Sequence, residues 1–445
     1  MSLSFLLCSF VLGPLADMDG RWRLKLERQG WHPATDQASL VLTRTGKEWQ
    51  GSLRFGVILY AREHPLQDIT VSNDRVEFRL HTEEFDLRFD GTLKDATLEG
   101  NVAWKDLGKF PWTAIRDDGK PPQRFESKLS FAGFFPKGRA EDLGLDGAAL
   151  DSLLRDAFEN DTDALLIVKD GRVVCEQYFG GPRTAIHLMS VTKLVTALAL
   201  PFLVEDGSLD LESIDEPVST WFPDWDQGLK AKVTLRHLLQ HASGLEKRPS
   251  ALELNRQDDR LEFARGRAVE AEPGTRHFYS NEGIMLVGGI FEAAAGVPLD
   301  EYLKKKLFEP LDIKDWEWNR DLANHTVAYA ELAMTPRDLT RIGWLLVDEE
   351  RAGKRQRVAP EWIERLSTPS SIEKGRGLIL DVYYQEGEDE SVGFGHTGWL
   401  GQYLAVYPRW KLVGVRMRRF KNEAETGNAA FELGSFVQRL AHLVK

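Results

Sequence analysis

The stretch that decides the fold reads Ala164-Leu-Leu-Ile-Val-Lys-Asp-Gly-Arg-Val-Val-Cys-Glu-Gln-Tyr-Phe179. Its centre, Asp170-Gly171, is typical of the tight turn of a β-hairpin, and apolar residues stand on both sides. Near the other end of the chain, Gln402–Tyr407 and Leu412–Met417 predict a second hairpin. Apolar residues before the first hairpin follow a helical period, as at Leu150, Leu153 and Leu154, and a further helical stretch begins at about Ser190. The pattern therefore predicts an α/β (α+β) domain, with an antiparallel sheet flanked by helices and a helical subdomain.

A different pattern precedes this part of the chain. From Met18 to about Arg116 apolar residues alternate with period two, which predicts consecutive antiparallel strands with one buried face. The expected turns are Asn73-Asp74, Asp90-Gly91 and Lys94-Asp95. The segment therefore predicts a small all-β barrel or sandwich-like domain. It could bind a small ligand in a barrel mouth, although a structural or docking module is the simpler interpretation.

Length and composition suggest how the chain is divided. Its 445 residues allow two or three domains. We expect a β-rich accessory domain at 17–120, a linker at 121–132 that begins with Pro121-Pro122, and a second domain at 133–445. Residues 1–16 are a short apolar run that fits a secretory signal peptide, and so predict a secreted or periplasmic protein. A buried first strand in a cytoplasmic protein is the alternative.

Charge and cysteine content exclude several classes of protein. Basic residues number 57 and acidic residues 69, so the net charge is −12 and argues against nucleic acid or anionic membranes as partners. Two cysteines, Cys8 and Cys175, exclude a disulfide scaffold. No stretch is long and apolar enough to predict a transmembrane segment. The sequence does not fix the oligomeric state.

Two further patterns resemble sites for cofactors. His237 and His241 have the i, i+4 spacing of a zinc pair, but the glutamate of a metalloprotease motif and a third ligand are missing. Residues 393–398 spell G-x-G-x-x-G, but a predicted strand follows where a nucleotide site needs a helix. We therefore expect neither a metal nor a cofactor.

The first candidate for chemistry is Ser190-Val-Thr-Lys193 at the start of an apolar helix. Residues i and i+3 share a helix face, so the Lys193 amine can reach the Ser190 hydroxyl. Serine is a weak nucleophile that needs a base, and burial makes a neutral lysine amine available. Ser371-Ile-Glu-Lys374 has the same spacing but lies in a polar stretch, so we interpret it as a loop.

Two more motifs supply a phenol, an amide and an imidazole. Tyr279-Ser280-Asn281 precedes an apolar helix, and Asn281 could hydrogen-bond a substrate or Lys193. A helix N-cap is the alternative interpretation. His396-Thr397-Gly398 leads towards the second hairpin, and its alternative is a histidine on an edge strand.

The order Ser-x-x-Lys, Tyr-Ser-Asn, His-Thr-Gly resembles the serine β-lactamase and penicillin-binding-protein superfamily. The resemblance is to the branch with class C β-lactamases, D-alanyl-D-alanine carboxypeptidases, family VIII esterases and 6-aminohexanoate-dimer hydrolases. Leu235-Arg-His-Leu-Leu-Gln-His-Ala-Ser-Gly-Leu245 and Gly398-Trp-Leu-Gly-Gln402 support it. It covers about Phe134 to Lys445 and implies a β-lactamase-like fold.

The resemblance also implies roles for individual residues. Ser190 would be the acylated nucleophile, Lys193 its base, and Tyr279 the group that assists proton transfer. Asn281, His396, Thr397 and Gly398 would bind the substrate. The backbone N–H groups of Ser190 and Trp399 would form the oxyanion hole.

One departure from the family pattern bears on the substrate. Class C enzymes carry lysine where this chain has His396, and the segment Gly377–Tyr384 holds no arginine or lysine that could bind a carboxylate. The expected function is a serine hydrolase for a small ester or amide, with D-amino-acid peptides and weak β-lactam hydrolysis ranked below. The alternative is a penicillin-recognising sensor or binding module that is acylated without turnover.

Overall fold

In the computed structural model, the described residues form two compact units, one ending at Arg116 and the other beginning at Phe134. The described residues are 18–26, 39–46, 48–54, 63–81, 86–104, 108–116, 134–160, 162–179, 184–246, 251–347, 358–385, 387, 389–419 and 433–445. The predicted signal segment 1–16 and the linker 121–132 lie outside them.

The described strands of the first unit form one antiparallel sheet. They are β1 (Gly20–Leu26), β2 (Ser39–Thr45), β3 (Glu48–Arg54), β4 (Glu63–Pro65), β5 (Gln67–Ser72), β6 (Arg75–His81), β7 (Asp86–Lys94), β8 (Thr97–Trp104) and β9 (Gly108–Arg116). Strands adjacent in sequence pair with each other, except β4 and β5, and β9 returns to pair with β1. Because β4 and β5 are separated only by Leu66, the segment 63–72 pairs with β3 at one end and with β6 at the other. The predicted meander therefore curls into a nearly closed barrel.

Large aromatic side chains fill the interior of this barrel. Trp22 and Trp112 are fully buried. Phe78 stacks on Phe89 with ring centroids 4.6 Å apart, and both contact the edge of Trp112. These side chains form the hydrophobic core of the first unit. The ligand in the barrel mouth and the structural or docking module both stay predictions.

One expected turn in this unit is wrong. Asp90-Gly91 lies in the middle of β7, where Asp90 pairs with Glu77 and Asn101. A Cβ on Gly91 would stand 2.5 Å from the Trp112 indole, so this glycine makes room for a ring instead of bending the chain. The turn expected at Asn73-Asp74 is correct, and the one expected at Lys94-Asp95 lies one residue later, at Asp95-Ala96; Asn73 and Asp95 are in left-handed conformation.

The second unit is built on the two predicted hairpins, and its helices lie before, between and after them in sequence. The main-sheet strands are β10 (Ala164–Lys169), β11 (Arg172–Tyr178), β15 (Asp381–Tyr384), β16 (Ser391–Gly398), β17 (Gln402–Tyr407) and β18 (Leu412–Met417), and a smaller sheet holds β12 (Ile186–His187), β13 (Trp316–Trp318) and β14 (Leu332–Met334). The main order is β11-β10-β18-β17-β16-β15, with all neighbours antiparallel. The first hairpin therefore joins the second through the β10–β18 pair, as predicted.

Helices cover both faces of the main sheet. They are α1 (Gly147–Glu159), α2 (Thr192–Ala197), α3 (Ala199–Glu205), α4 (Leu235–Leu239), α5 (Ala251–Asn255), α6 (Arg260–Gly266), α7 (Asn281–Ala295), α8 (Leu299–Leu303), α9 (Pro336–Leu345), α10 (Pro360–Ser367) and α11 (Leu433–Ala441). Side chains from α1 and α11 pack on one face of the sheet, and the larger core with α2, α3, α7 and α9 lies on the other. The fold matches the predicted α+β class.

Two of the helical segments depart from a regular, continuous helix. The helix after Ser190 is interrupted at Leu198, because Pro201 has no N–H to donate to the carbonyl of Ala197. Within the described ranges, no single helix has the length and hydropathy of a membrane span. The bent pair Asn281–Ala295 and Leu299–Phe308 meets those criteria only when its two members are taken together.

Candidate active site

Ser190 lies on a short 3-10 turn, Met189–Val191, directly before α2. Met189 has a φ of 52°, a left-handed conformation that a residue with a long side chain rarely adopts. Leu188 and Val191 are buried on either side and fix this turn in the core. The Ser190 side chain is thus presented, half-buried, at the start of a helix.

Lys193 is fully buried one helical turn after Ser190. Its Nζ lies 3.0 Å from the Ser190 Oγ and donates a hydrogen bond of 2.7 Å to the carbonyl oxygen of Tyr329. No carboxylate among the described residues forms an ion pair with it. Burial, aided by the positive charge of Arg376, lowers the pKa of Lys193 well below its usual 10.5. The amine can therefore be neutral and act as a base.

Tyr279 completes a group of three. Its hydroxyl donates a hydrogen bond of 2.8 Å to the Ser190 Oγ, and the Lys193 Nζ lies 4.9 Å from the centre of its ring. Burial raises the pKa of Tyr279 to about 12, so the phenol is protonated at neutral pH. A neutral amine and a protonated phenol thus both contact the oxygen of the Ser190 hydroxyl.

The residues after Tyr279 form the start of α7. Ser280 is the N-cap, and its Oγ accepts a hydrogen bond of 2.9 Å from the Gly283 N–H. The capping interpretation of this motif is therefore correct, and it coexists with the contact of Tyr279 to Ser190. Asn281 is the first residue of α7, and its buried Oδ1 has no hydrogen-bond partner among the described residues. The predicted bond to Lys193 is not formed there.

His396 lies in β16, between β15 and β17, and not on an edge strand. It is 1% exposed, and its Nδ1 contacts the Thr397 carbonyl oxygen at 2.7 Å, so that nitrogen carries the proton. Burial, with a smaller effect from the positive charge of Arg376, lowers the pKa of His396 well below 6.5. The side chain is therefore neutral at pH 7 and provides no fixed cation.

The end of β16 runs along the segment that precedes Ser190. A Cβ on Gly398 would stand 2.6 Å from the Leu188 carbonyl oxygen, so only glycine allows this approach. Trp399 follows at once, is 37% exposed, and begins the turn into β17. Ser190 and Trp399, the two predicted sources of oxyanion-hole N–H groups, therefore lie on neighbouring segments.

The sequence reasoning missed the polar residues that hold this turn. Arg416, fully buried, donates to the Gly401 carbonyl at 2.6 Å and to the Asn160 carbonyl at 2.7 Å. Gln402 donates to the His187 carbonyl at 2.9 Å and so ties the turn to the strand that leads to Ser190. Arg416 belongs to no quoted motif, and Gln402 was quoted only as the end of the Gly398–Gln402 stretch; their roles could not be predicted because their partners, mostly backbone groups, are distant in sequence.

Tyr329 was missed for the same reason. Its carbonyl oxygen accepts from Lys193, and its hydroxyl bonds Asn255 and Arg260 in a buried network. Arg260 also pairs with Glu331 at 2.9 Å. This network fixes the position of the Tyr329 carbonyl oxygen, which accepts the hydrogen bond from the Lys193 amine.

Arg376 is a cation that immediately precedes the segment in which the sequence showed none. Its guanidinium pairs with the buried Asp381. Its positive charge adds to the effect of burial in lowering the pKa values of Lys193 and His396, and it partly opposes the rise that burial causes in the pKa of Tyr279. By contrast, Lys374 of the second Ser-x-x-Lys pattern is exposed in a loop and pairs with Asp389 at 3.1 Å. That pattern is a coincidence, as predicted.

The chain resembles known proteins in sequence. The model of a family described as Beta-lactamase matches residues 150–433. An N-acetylmuramyl-L-alanine amidase of Bacillus subtilis (strain 168) is 31% identical over 191 residues, which are 35% of this chain and 42% of that protein. The chain thus spans less than half the length of that relative. A protein of Escherichia coli O157:H7 named "Putative D-alanyl-D-alanine carboxypeptidase" is 28% identical over 324 residues, covering 55% of this chain and 75% of that protein.

Solved structures show the same fold at lower identity. The crystal structure of a family VIII carboxylesterase superposes with a TM-score of 0.54 at 15% identity, covering 66% of this chain and 96% of the esterase. At these identities the likeness concerns the fold alone.

Proposed function

We propose, because the chain belongs to the beta-lactamase family, that it is a serine hydrolase acting on a small ester or amide through an acyl-enzyme at Ser190. One observation carries the proposal: the Ser190 Oγ lies 3.0 Å from the Lys193 amine and 2.8 Å from the Tyr279 hydroxyl. A nucleophile, a base and a proton donor in mutual contact are what acyl transfer requires.

Acylation can be written with these groups. The neutral Lys193 amine takes the Ser190 proton as Oγ bonds to the substrate carbonyl carbon, and the carbonyl electron pair moves to oxygen. The N–H groups of Ser190 and Trp399 would bind that oxyanion. When the tetrahedral intermediate collapses, Tyr279 gives its proton to the leaving alcohol or amine and regains one from the Lys193 ammonium.

Deacylation uses the same groups in reverse. Water attacks the acyl carbon and gives a proton to the amine of Lys193, directly or through Tyr279. The bond to Ser190 then breaks, and Oγ recovers its proton as the carboxylic acid leaves. Lys193 and Tyr279 both contact Oγ in the unacylated protein, so the groups that would return a proton to Oγ are in place.

The charge of the crevice supports the choice of substrate class. His396 is neutral and buried, so it offers no fixed cation for a substrate carboxylate. Small esters and amides without an essential carboxylate therefore rank first, and efficient β-lactam hydrolysis ranks below them.

Arg376 favours a second candidate, a D-amino-acid peptidase. Its charge reaches the crevice, and one of the relatives is named as a carboxypeptidase. Asp381 already balances that charge, which is why this candidate ranks second. On this candidate, Arg376→Gln raises KM for a D-amino-acid peptide with a free carboxylate at least fivefold more than for the same peptide amide. Equal KM changes for the two peptides contradict it.

A substrate panel tests the primary proposal. The protein is incubated with a fluorophosphonate probe, p-nitrophenyl esters, D-amino-acid amides and a chromogenic cephalosporin. We expect labelling and ester or amide turnover, both lost in Ser190→Ala. Ser371→Ala, in the second Ser-x-x-Lys pattern, is the matched control and keeps both. Stoichiometric labelling without turnover supports the sensor alternative, and the absence of labelling contradicts both.

A further inference from the structure

His241 stands against the loop that carries Tyr279. It follows α4 with a φ of 53° and is 2% exposed. Sequence spacing placed it in a candidate zinc pair with His237, but no group of side chains among the described residues could hold a metal ion there. His241 instead contacts the residues on both sides of Tyr279.

His241 holds the backbone on both sides of Tyr279. Its carbonyl oxygen accepts a hydrogen bond of 2.6 Å from the Phe278 N–H. Its ring Nδ1 accepts a hydrogen bond of 3.2 Å from the Ser280 N–H. The residues before and after the tyrosine are thus anchored to a single residue.

The His241 ring also contacts the tyrosine itself. Its centroid lies 4.6 Å from that of Tyr279, with 35° between the planes. The edge of His277 meets the His241 ring, with centroids 5.8 Å apart. His241 therefore restricts both the backbone and the ring of Tyr279, whose hydroxyl must stay within 2.8 Å of Ser190.

We infer that His241 is a positioning residue that keeps the Tyr279 hydroxyl on Ser190 through its Nδ1 bond to the Ser280 N–H. The inference rests on the proposed function, since it assigns Tyr279 a part in proton transfer. Because Nδ1 accepts this bond, the ring must be neutral with its proton on Nε2. A small displacement of a proton donor lowers the catalytic rate far more than it weakens substrate binding.

Two substitutions separate the Nδ1 bond from the rest of the side chain. His241→Asn places an amide oxygen at about the position of Nδ1, and asparagine tolerates a positive φ. His241→Gln carries the same amide one bond further out, where it cannot replace Nδ1. We expect kcat for the best ester of the panel to be roughly 10-fold lower in His241→Gln than in His241→Asn, with KM within twofold.

Measurements in a Tyr279→Phe background distinguish positioning of the Tyr279 hydroxyl from a general structural role of His241. In a Tyr279→Phe background the kcat difference between the Asn and Gln variants should vanish, because the hydroxyl that they position is absent. A difference that persists undiminished means that His241 does not act through Tyr279 and overturns the inference.

His237 is the matched control. Its Nδ1 accepts a 3.2 Å hydrogen bond from the Thr234 N–H, the same kind of bond four residues earlier. His237→Asn and His237→Gln should have equal kcat values, measured well below the Tm of each variant.

Each failure has its own signature. Turnover that survives Ser190→Ala contradicts the proposed function. Ser190-dependent turnover with equal kcat in folded His241→Asn and His241→Gln contradicts only the role of His241. Should His241→Gln not fold, a kcat for His241→Asn as low as that of Tyr279→Phe overturns the inference, because Asn retains the bond.

Discussion

Among the largest fully buried side chains of the N-terminal barrel are Trp22 and Trp112, whereas those of the second unit include Lys193 and Arg416. The barrel gains stability from aromatic packing. The crevice instead buries groups that would be charged in water, and the Nε2 atoms of His241 and His396 have no partner among the described residues. Such burial costs stability and perturbs pKa values, which is typical of residues kept for chemistry.

The largest expected effect separates activity from stability at Lys193. Lys193→Met removes the base and should lower turnover at least about 1,000-fold. Because the folded-state pKa of Lys193 is depressed, its burial destabilises the fold increasingly as pH falls below the unfolded value of about 10.4. Removing it should leave the Tm at pH 7 equal or higher, measured by calorimetry. A Tm that falls by several degrees would mean that this lysine stabilises the fold.

Lys374→Met provides a control for this comparison. Lys374 is exposed, so its replacement should change neither turnover nor Tm.

In the barrel, by contrast, we expect the replacement of a buried side chain to lower stability. Trp112→Ala removes a fully buried indole that contacts Phe78 and Phe89, and should destabilise the barrel by about 3–5 kcal/mol. Urea unfolding followed by circular dichroism measures this. A loss below about 1 kcal/mol would show that the barrel is not held by its aromatic core.

Tyr279→Phe is a smaller change in the crevice than Lys193→Met. It keeps the ring and removes the hydroxyl that bonds Ser190. We expect kcat to fall about 100-fold with KM within twofold, because the lost group acts in the transition state. Steady-state kinetics on one ester measure both constants, and an effect confined to KM would contradict the assigned role.

A smaller effect is expected at Gly91. Gly91→Ala places a methyl group 2.5 Å from the Trp112 indole and should cost about 1–3 kcal/mol by urea unfolding. Were Gly91 a turn residue, the methyl group would face solvent and cost little by this mechanism. Unchanged stability would therefore restore the turn that the sequence suggested.

Gly91 also shows where prediction from sequence fails. Asp-Gly is a genuine turn signal at 170–171, and the same dipeptide at 90–91 lies within a strand, because a tryptophan 21 residues later needs the space. Local patterns predicted the hairpins, the barrel class and the spacing of Ser190, Lys193 and Tyr279. Local patterns contain no information about the tertiary contact that decides between strand and turn at Gly91. They also do not give the distance in the fold between the Ser-x-x-Lys and Tyr-Ser-Asn motifs.

The supporting residues of the site were out of reach for a related reason. Tyr329 serves Lys193 through a carbonyl oxygen, which every residue possesses. His241 was noticed for its spacing, yet its partners are backbone N–H groups at 278 and 280. Arg376 was overlooked because it stands one position outside the segment in which a cation was sought.

The central claim is that a neutral Lys193 amine activates Ser190. The pH dependence of the rate at which a fluorophosphonate labels Ser190 tests it most directly. Because burial lowers the pKa of Lys193, the rate should rise with pH and reach a plateau well below pH 10.5, and Lys193→Met should abolish this rise. A rate that keeps climbing through pH 10.5, or the same profile in Lys193→Met, would contradict the claim.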